Sequence, residues 1–472
     1  MDSVLIIENK PDIVWLSETS INDRINSNHY RSYMTKNELE IKNSGLEVLR
    51  IKDIVVKIRR GKGLKKDDSG EIPNYKVRNL TNFGINKDDV DLITHREFVN
   101  NKSSHIKIGD VLLASTGVGS LGKVDLFFDD IKATVDGHIT ILTTKEEYDG
   151  GYLKAYLQSR YGQIFIEQNT IGSTGQTELY AKDIGEILVP IPSPEIQKYI
   201  GDKVRRAEEL REEAITLQKD IDILLDVDML LEETDRINNI FHSKVNWTNE
   251  INIVDRIDPN FYQKKYRTTI EKLGDNKVEL GELVKISKRR YQTGDINKYI
   301  EISSINNSFG TIDEVEELRP EEIPTSAKHQ VKEGDILVSL VRPTRKAISI
   351  VTKEYDNAIC TGGFAVLQSK GKVPVEFLTA VLRTNFAGIQ FERYCTGSTY
   401  PTINENDVVK IFIPQYSEKQ INKITEKYRR IIESIYRSKK LIQEAKQDVE
   451  DLIEGNFEMS KLNNDSSTES RC

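Results

Sequence analysis

Short apolar runs bounded by Gly, Asn, Asp and Pro fill most of the chain: "DVLLAS" (110–115), "ITIL" (139–142), "ILVPIP" (187–192), "DILVSL" (335–340), "FAVL" (364–367) and "IFIP" (411–414). Runs of this length between turn formers predict strands. Helical periodicity interrupts them at "GGYLKAYLQSRYGQIFIEQ" (150–168) and "PVEFLTAVLRTNFAGIQFERY" (374–394). Twice the pattern gives way to a heptad stripe. The later stripe carries Ile421, Tyr428, Ile435, Ile442 and Val449 at one seam position and Ile424, Ile431, Ser438, Ala445 and Leu452 at the other. The earlier one carries Ile200, Ala207, Ala214 and Ile221 with Leu210, Leu217 and Leu224. The polar faces of both are charged nearly all round, which predicts two long helices pairing antiparallel as a free-standing rod. Residues 421–452 alone would run about 48 Å at 1.5 Å per residue.

The strand-rich segments are copies of one another. "IKIGDVLLAS" (106–115) recurs as "VKEGDILVSL" (331–340), an offset of 225. The same offset carries "VDGHITIL" (135–142) onto "CTGGFAVL" (360–367) and "IGSTGQT" (171–177) onto "TGSTYPT" (396–402). "EILVPIPS" (186–193) matches "KIFIPQYS" (410–417), Gln197 matches Gln420, and "DRINSNHY" (23–30) matches "DRIDPNFY" (255–262). The order is kept throughout, as a duplicated unit requires. The expected fold is α+β: an N-terminal extension (1–19), two tandem strand-rich domains (20–194 and 237–417), each followed by a long helix (195–236 and 418–455), and a disordered tail (456–472).

Charge refines this picture. The net charge is −8, but the acid sits in the N-terminus and in helix 195–236, which has 7 Lys/Arg against 13 Asp/Glu. The two strand-rich domains are near neutral and locally basic. "RIKDIVVKIRRGKGLKK" (50–66) holds eight bases and one acid, "KISKRR" (285–290) occupies the corresponding place in the second copy, and "RPTRK" (342–346) adds to it. Recurrence at matching positions points to a phosphate-contacting surface rather than a solvated face. Three cysteines, Cys360, Cys395 and Cys472, are unpaired in spacing, which argues against a disulfide framework or zinc knuckle and fits a reducing cytoplasm. No apolar run is long enough for a membrane span, and the acidic start "MDSVLIIENKPDIVW" is unlike a secretory signal.

One motif suggests nucleotide binding. "GDVLLASTGVGSLGKVDLFF" (109–128) places Gly117, Gly119 and Gly122 in G-x-G-x-x-G spacing, with Lys123 next. A phosphate cradle requires a helix N-terminus immediately afterwards. Here the glycines run into the strand-like "KVDLFFDD", Val124 stands where a P-loop needs Ser or Thr, and the second copy has Arg342, Thr344 and Ala347 in place of the glycines. The stretch therefore reads as a glycine-rich hairpin turn. The chain has no HExxH and no G-x-S-x-G; its six histidines are scattered; "DPNF" (258–261) only superficially matches a methyltransferase tetrapeptide. No catalytic residue and no metal or cofactor site is expected.

Two strand-rich segments, each closed by a long helix, with "GD(V/I)L" and "GST…T…P" landmarks in both, resemble the specificity subunit of type I restriction–modification systems, or a related specificity factor of a methylation-linked phage-defence system. The resemblance covers about residues 20–455. It implies two target-recognition domains on an antiparallel spacer, a bipartite double-stranded DNA target, and two partner adenine methyltransferase subunits that carry the S-adenosylmethionine. Nuclease–translocase subunits join such complexes. Phosphate contacts are expected from Arg59, Arg60, Lys62, Lys65, Lys66, Lys288, Arg289, Arg290, Arg342, Arg345 and Lys346. Base reading is expected from Ser173, Thr174 and Gln176 and from Ser398, Thr399 and Tyr400. The GST loops also read as turns of the fold. The rival function is a two-domain coiled-coil protein scaffold without DNA binding.

Overall fold

The computed structural model describes residues 5–6, 14–15, 30–225, 256 and 259–464, apart from 82, 88, 118, 173–176 and 314. Two compact units form, residues 1–210 with 437–472 and residues 211–436.

In unit 1, helix α1 (Ser32–Lys42) precedes strands β1 (Glu47–Arg50), β2 (Val55–Arg60), β3 (Ile72–Tyr75), β4 (Asp91–Ile93), β5 (His105–Ile106), β6 (Val111–Ala114), β7 (Val124–Leu126), β8 (Ala133–Val135) and β9 (Ile139–Thr144). Helices α2 (Gly150–Gln158) and α3 (Arg160–Asn169), strand β10 (Leu188–Ile191) and the part of long helix α4 (Pro194–Leu225) up to Leu210 complete it. One sheet runs β2-β9-β6-β7, a second β4-β3-β8-β5, and β10 pairs with β1. Every pairing of the first sheet is antiparallel, whereas β8 and β3 run parallel. The apolar runs are continuous because the first sheet is covered on both faces. Val111, Leu113 and Leu142 face a core shared with α2, α3 and α4. Leu112, Ile139 and Ile141 face a second core under the β3/β8 sheet.

Unit 2 repeats the plan. After α5 (Lys264–Glu271) come β11 (Lys277–Glu279), β12 (Val284–Ile286), β13 (Asn297–Ile300), β14 (Glu316–Leu318), β15 (Ala327–Gln330), β16 (Ile336–Ser339), β17 (Ile348–Ile350), β18 (Ile359–Thr361) and β19 (Phe364–Ser369). Next come α6 (Val375–Leu382), α7 (Asn385–Tyr394), β20 (Phe412–Pro414) and long helix α8 (Glu418–Glu454). The sheets run β12-β19-β16-β17 and β14-β13-β18-β15, with β11 against β20. The lone parallel pair of the second sheet, β13 with β18, recurs as well. The repeat seen in sequence is thus a repeat in strand order and direction.

The shared landmarks hold the turns of this scaffold. Gly109 and Gly334 adopt φ of 85° and 82°, a conformation glycine takes without strain. The next residue closes the turn: an Asp110 carboxylate oxygen accepts from Lys107 N at 2.9 Å and one of Asp335 from Lys332 N at 2.8 Å. Gln197, at the start of α4, accepts from Asp149 N at 3.2 Å and donates to Pro192 O at 3.0 Å.

Each unit contains a segment of both long helices, side by side and antiparallel. In unit 1 Lys203 pairs with Asp448, and Ala207 shares a core with Ile442, Ala445 and Val449; Leu210 is buried too. In unit 2 Arg430 pairs with Glu213, and Lys427 Nζ lies 2.6 Å from Asp220. There Ala214, Leu217 and Ile221 share a core with Tyr428, Ile431 and Ile435. These stripes do not form a free-standing rod. The clusters that hold them also hold strand residues such as Val111 and Val338, so the seam is part of each domain core. Leu224 is only partly buried and Leu225 takes the seam position, 2% exposed. Residues 226–236 of the expected first helix lie outside the described residues. The first part of the tail, residues 456–464, departs from expectation, and residues 465–472 lie outside the described residues. Residues 461–464 form a helical turn, Phe457 and Leu462 pack against the unit 1 core, and Lys461 Nζ reaches Asp448 at 2.8 Å.

Candidate nucleic-acid interface

Register brings the loop after the first strand, a hairpin and the loop after the second short helix to one end of the first sheet in each unit. In unit 1, Arg60 at the end of β2 pairs with Thr140, and Ile139 with Ala114 at the end of β6. The basic loop after β2, the β6–β7 hairpin and the turn before β9 therefore share an edge. The loop after α3 joins them through the bridges Thr116 to Glu178 and Ile171 to Glu178. In unit 2 the equivalent end gathers the loop after β12, the β16–β17 hairpin and the 396–402 loop, through the bridges Val341 to Thr402 and Thr396 to Thr402.

The glycine motif resolves here. It is the β6–β7 hairpin, with Leu113 opposite Val124, and Gly117, Gly119 and Gly122 have φ of 105°, 76° and 88°. The hairpin leads into a strand instead of a helix, so no helix dipole follows it as a phosphate cradle requires. Among the described residues no group of three or more His, Cys, Asp or Glu could hold a metal, and no helix is long and apolar enough to cross a membrane.

Several candidate phosphate contacts are committed internally. The Arg59 guanidinium donates to His105 O at 2.9 Å and lies 3.4 Å from the fully buried Asp110 carboxylate. Arg289 pairs with the buried Asp335 in unit 2. Arg59 on β2 and Arg289 in the loop after β12 are thus each held by the Asp of a GD turn. Arg60 is likewise engaged. It donates to Gly137 O at 2.5 Å and pairs with Glu178, tying the loop after α3 to the sheet end. The Arg60 hydrogen bond holds the Glu178 carboxyl below its usual range.

The remaining cations are available. Lys62, Lys65 and Lys66 are exposed in the loop after β2, Lys66 with the surface partner Asp68 at 3.0 Å. Lys288, Arg290 and Arg345 are exposed in unit 2, and Lys288 lies 3.8 Å from Glu405, beside the 396–402 loop. Arg342 and Lys346 are partly buried at the two ends of the β16–β17 hairpin. Ser398, Thr399 and Tyr400 are exposed. Arg342 Nη2 donates to Thr399 O at 3.1 Å and its guanidinium lies 4.2 Å above the Tyr400 ring. Ser173, Thr174 and Gln176 lie outside the described residues. His138, which the sequence reading left among scattered histidines, stands at the same sheet end of unit 1, where Nδ1 is 2.5 Å from Thr116 Oγ1. The signal that could have found it is the repeat, which aligns it with Gly363.

Residues 43–221 match the family model "Type I restriction modification DNA specificity domain". The matched segment is therefore similar to type I restriction–modification DNA specificity domains. Similar solved structures include the type I restriction-modification system S subunit from M. genitalium, at 14% identity over 88% of this chain and 97% of that one, with a TM-score of 0.42. Another is the HsdS subunit from Thermoanaerobacter tengcongensis, at 15% identity over 88% and 97%, with a TM-score of 0.29. No curated protein sequence matches the chain.

Proposed function

We propose that this chain reads a bipartite, asymmetric double-stranded DNA target, one half-site per unit, and directs partner adenine methyltransferase subunits to it in the cytoplasm. The observation that carries the reading is the duplicated sheet end: the same three loops converge in both units on one topology, with different side chains. A scaffold repeated with altered loops suits two different half-sites. Phosphate contacts fix register while base contacts specify. Lys62, Lys65, Lys66, Lys288, Arg290 and Arg345 are suited to the first task, and Ser398, Thr399 and Tyr400 to the second. The acidic face of α4 would repel DNA and suits a protein partner. S-adenosylmethionine would be held by that partner, and nuclease–translocase subunits can be absent or present without altering this role.

The test is a base-modification map of the host genome by long-read sequencing, with and without the gene. Loss of methylation at one motif with two short half-sites around a fixed gap is expected on deletion. An unchanged map, together with no retention of the purified chain on DNA at low salt, would favour the protein-scaffold reading instead.

A further inference from the structure

The two hairpins at the sheet ends have the same left-handed positions, filled differently. Counting from the pair Leu113/Val124 in unit 1 and Val338/Ile348 in unit 2, the fourth residue onward is Gly117 in one and Arg342 in the other. The second residue back from the closing strand is Gly122 in one and Lys346 in the other. Their φ values are 105° and 88° for the glycines and 48° and 61° for Arg342 and Lys346. Glycine occupies such positions without strain, and a long cationic side chain does not. Among the described residues only Asp89 and Asn357 otherwise combine a side chain with positive φ, and these are the short polar types that tolerate it.

Both hairpins are tethered at these positions: in unit 1 Gln163 Nε2 donates to Gly122 O at 3.0 Å and Gly117 N to Thr177 O at 3.4 Å, and unit 2 makes the same ties with different residues. Buried Arg383 on the turn after α6 donates to Lys346 O at 2.8 Å, Ile348 O at 3.1 Å and Asn307 O at 2.7 Å. Its counterpart Gln158 makes the Val124 O bond at 2.6 Å. Arg342 N donates to Pro401 O at 2.8 Å. A strained position persists where its surroundings over-determine it, and such positions cluster at functional sites.

Resting on the DNA reading above, we infer that Arg342 is a specificity-determining residue: its guanidinium, stacked on Tyr400 and tethered to the Thr399 carbonyl, reads a guanine edge in the half-site taken by unit 2. Lys346, at the other end of the hairpin, contacts a neighbouring phosphate. The chemistry is specific. One of the five N–H donors of a guanidinium is spent on Thr399, and a planar pair of the others matches the O6 and N7 acceptors of guanine in the major groove. Stacking on an aromatic face fixes the plane in advance, so less freedom is lost on binding. The equivalent positions of unit 1 are glycines, so unit 1 reads its half-site without this contact.

The test uses the full chain in the gene-deleted host, complemented by wild type, Arg342→Gly, Arg342→Lys or Lys346→Gly. The readouts are a methylation map of the genome and thermal melts of each purified chain. Wild type restores one bipartite motif. Arg342→Gly keeps the half-site of unit 1, and in the other half-site it relaxes one G·C position or lowers methylation about 10- to 100-fold. Its melting temperature is unchanged or raised by about 2–4 °C, since glycine relieves the left-handed strain. Arg342→Lys fails to restore the G·C preference despite keeping the charge. Lys346→Gly lowers methylation evenly at all sequence variants. An unaltered motif at wild-type level in Arg342→Gly overturns the inference. So does a melting temperature lowered by more than about 5 °C, which would make the residue structural. If wild type itself restores no motif, the DNA reading fails and this inference falls with it.

Discussion

Lys154 on α2 and Asp125 on β7 form an ion pair at 3.0 Å inside unit 1, with side chains 2% and 0% exposed. Unit 2 shows what the fold does without it. The corresponding residues are Ser349 on β17 and Thr379 on α6, both fully buried, and each hydroxyl bonds a nearby carbonyl, Ile350 O at 3.2 Å and Val375 O at 2.8 Å. The scaffold therefore tolerates a neutral pair here, while half an ion pair would leave a charge stranded. Lys154→Met keeps most of the side-chain volume and removes the ammonium. The Asp125 carboxylate would keep the Thr81 N–H at 3.0 Å but lose its countercharge. Removing one partner of a buried pair costs about 3–5 kcal/mol. For a unit of this size that lowers the melting temperature by roughly 6–20 °C, at 2–4 °C per kcal/mol. The double substitution Asp125→Ser with Lys154→Met should come back to within about 2 kcal/mol of wild type, because an apolar or neutral replacement of a buried pair is often close to neutral. The assay is urea unfolding of the full chain monitored by far-ultraviolet circular dichroism, with hydrogen exchange at β7 and α2 assigning the transition to unit 1. A Lys154→Met loss below about 1 kcal/mol, or single effects that simply add in the double variant, would refute the reasoning.

Asp335→Asn should lose about 1.5–3 kcal/mol of stability, read from the urea midpoint, because a buried charge-assisted bond to Arg289 is removed. Leu225→Ala should cost about 2–5 kcal/mol and Leu224→Ala clearly less, since only Leu225 is fully in the core. Burial, with the nearby Lys328 charge, lowers the pKa of His329. A lowered folded pKa means the unfolded chain binds more protons, so stability falls as pH drops below about 6.5; melts across pH 5–8 should show that slope, and His329→Gln should flatten it. Burial pushes the Cys360 thiol up to about 12 and the Cys395 thiol to about 11, so Cys360 should resist a thiol reagent at pH 8 until the chain unfolds.

The duplication, the strands and both long helices were legible because each rests on periodicity or recurrence, which a linear sequence displays. Partners across the sheet were not. "KIRRG" reads as a basic cluster, yet Arg59 and Arg60 are adjacent on one strand and must point to opposite faces. Alternation alone bars them from acting together, and Asp110, 51 positions away, decides the role of Arg59. The seam slip from Leu224 to Leu225 has a similar cause. A straight helix drifts about 20° per heptad against a 3.5-residue repeat, and Leu217, Ile221 and Leu225 keep to the 3.6-residue turn once the helix packs on unit 2. The folded tail was hidden by composition: "GNFEMSKLNN" is polar, and Phe457 and Leu462 carry its docking. The residues expected to read bases in unit 1, Ser173, Thr174 and Gln176, fall outside the described residues.

The two copies act as controls for each other. Where both keep the same residue at the same place, as at Gly109/Gly334 and Asp110/Asp335, the contacts are internal and the residue is scaffold. Where both keep the backbone but change the residue, the change takes one of two patterns. Asp125 with Lys154 and Ser349 with Thr379 are alternative ways of filling one buried space, and neither reaches the surface. Gly117/Arg342 and Gly122/Lys346 differ in the opposite sense. The second copy has the residue worse suited to the backbone, at a partly exposed position, with Arg383 bonding the Lys346 carbonyl. Stability alone would favour glycine at both positions, so what maintains two cations there has to act outside the fold. That asymmetry separates a surface built to meet a ligand from a loop that merely closes a hairpin.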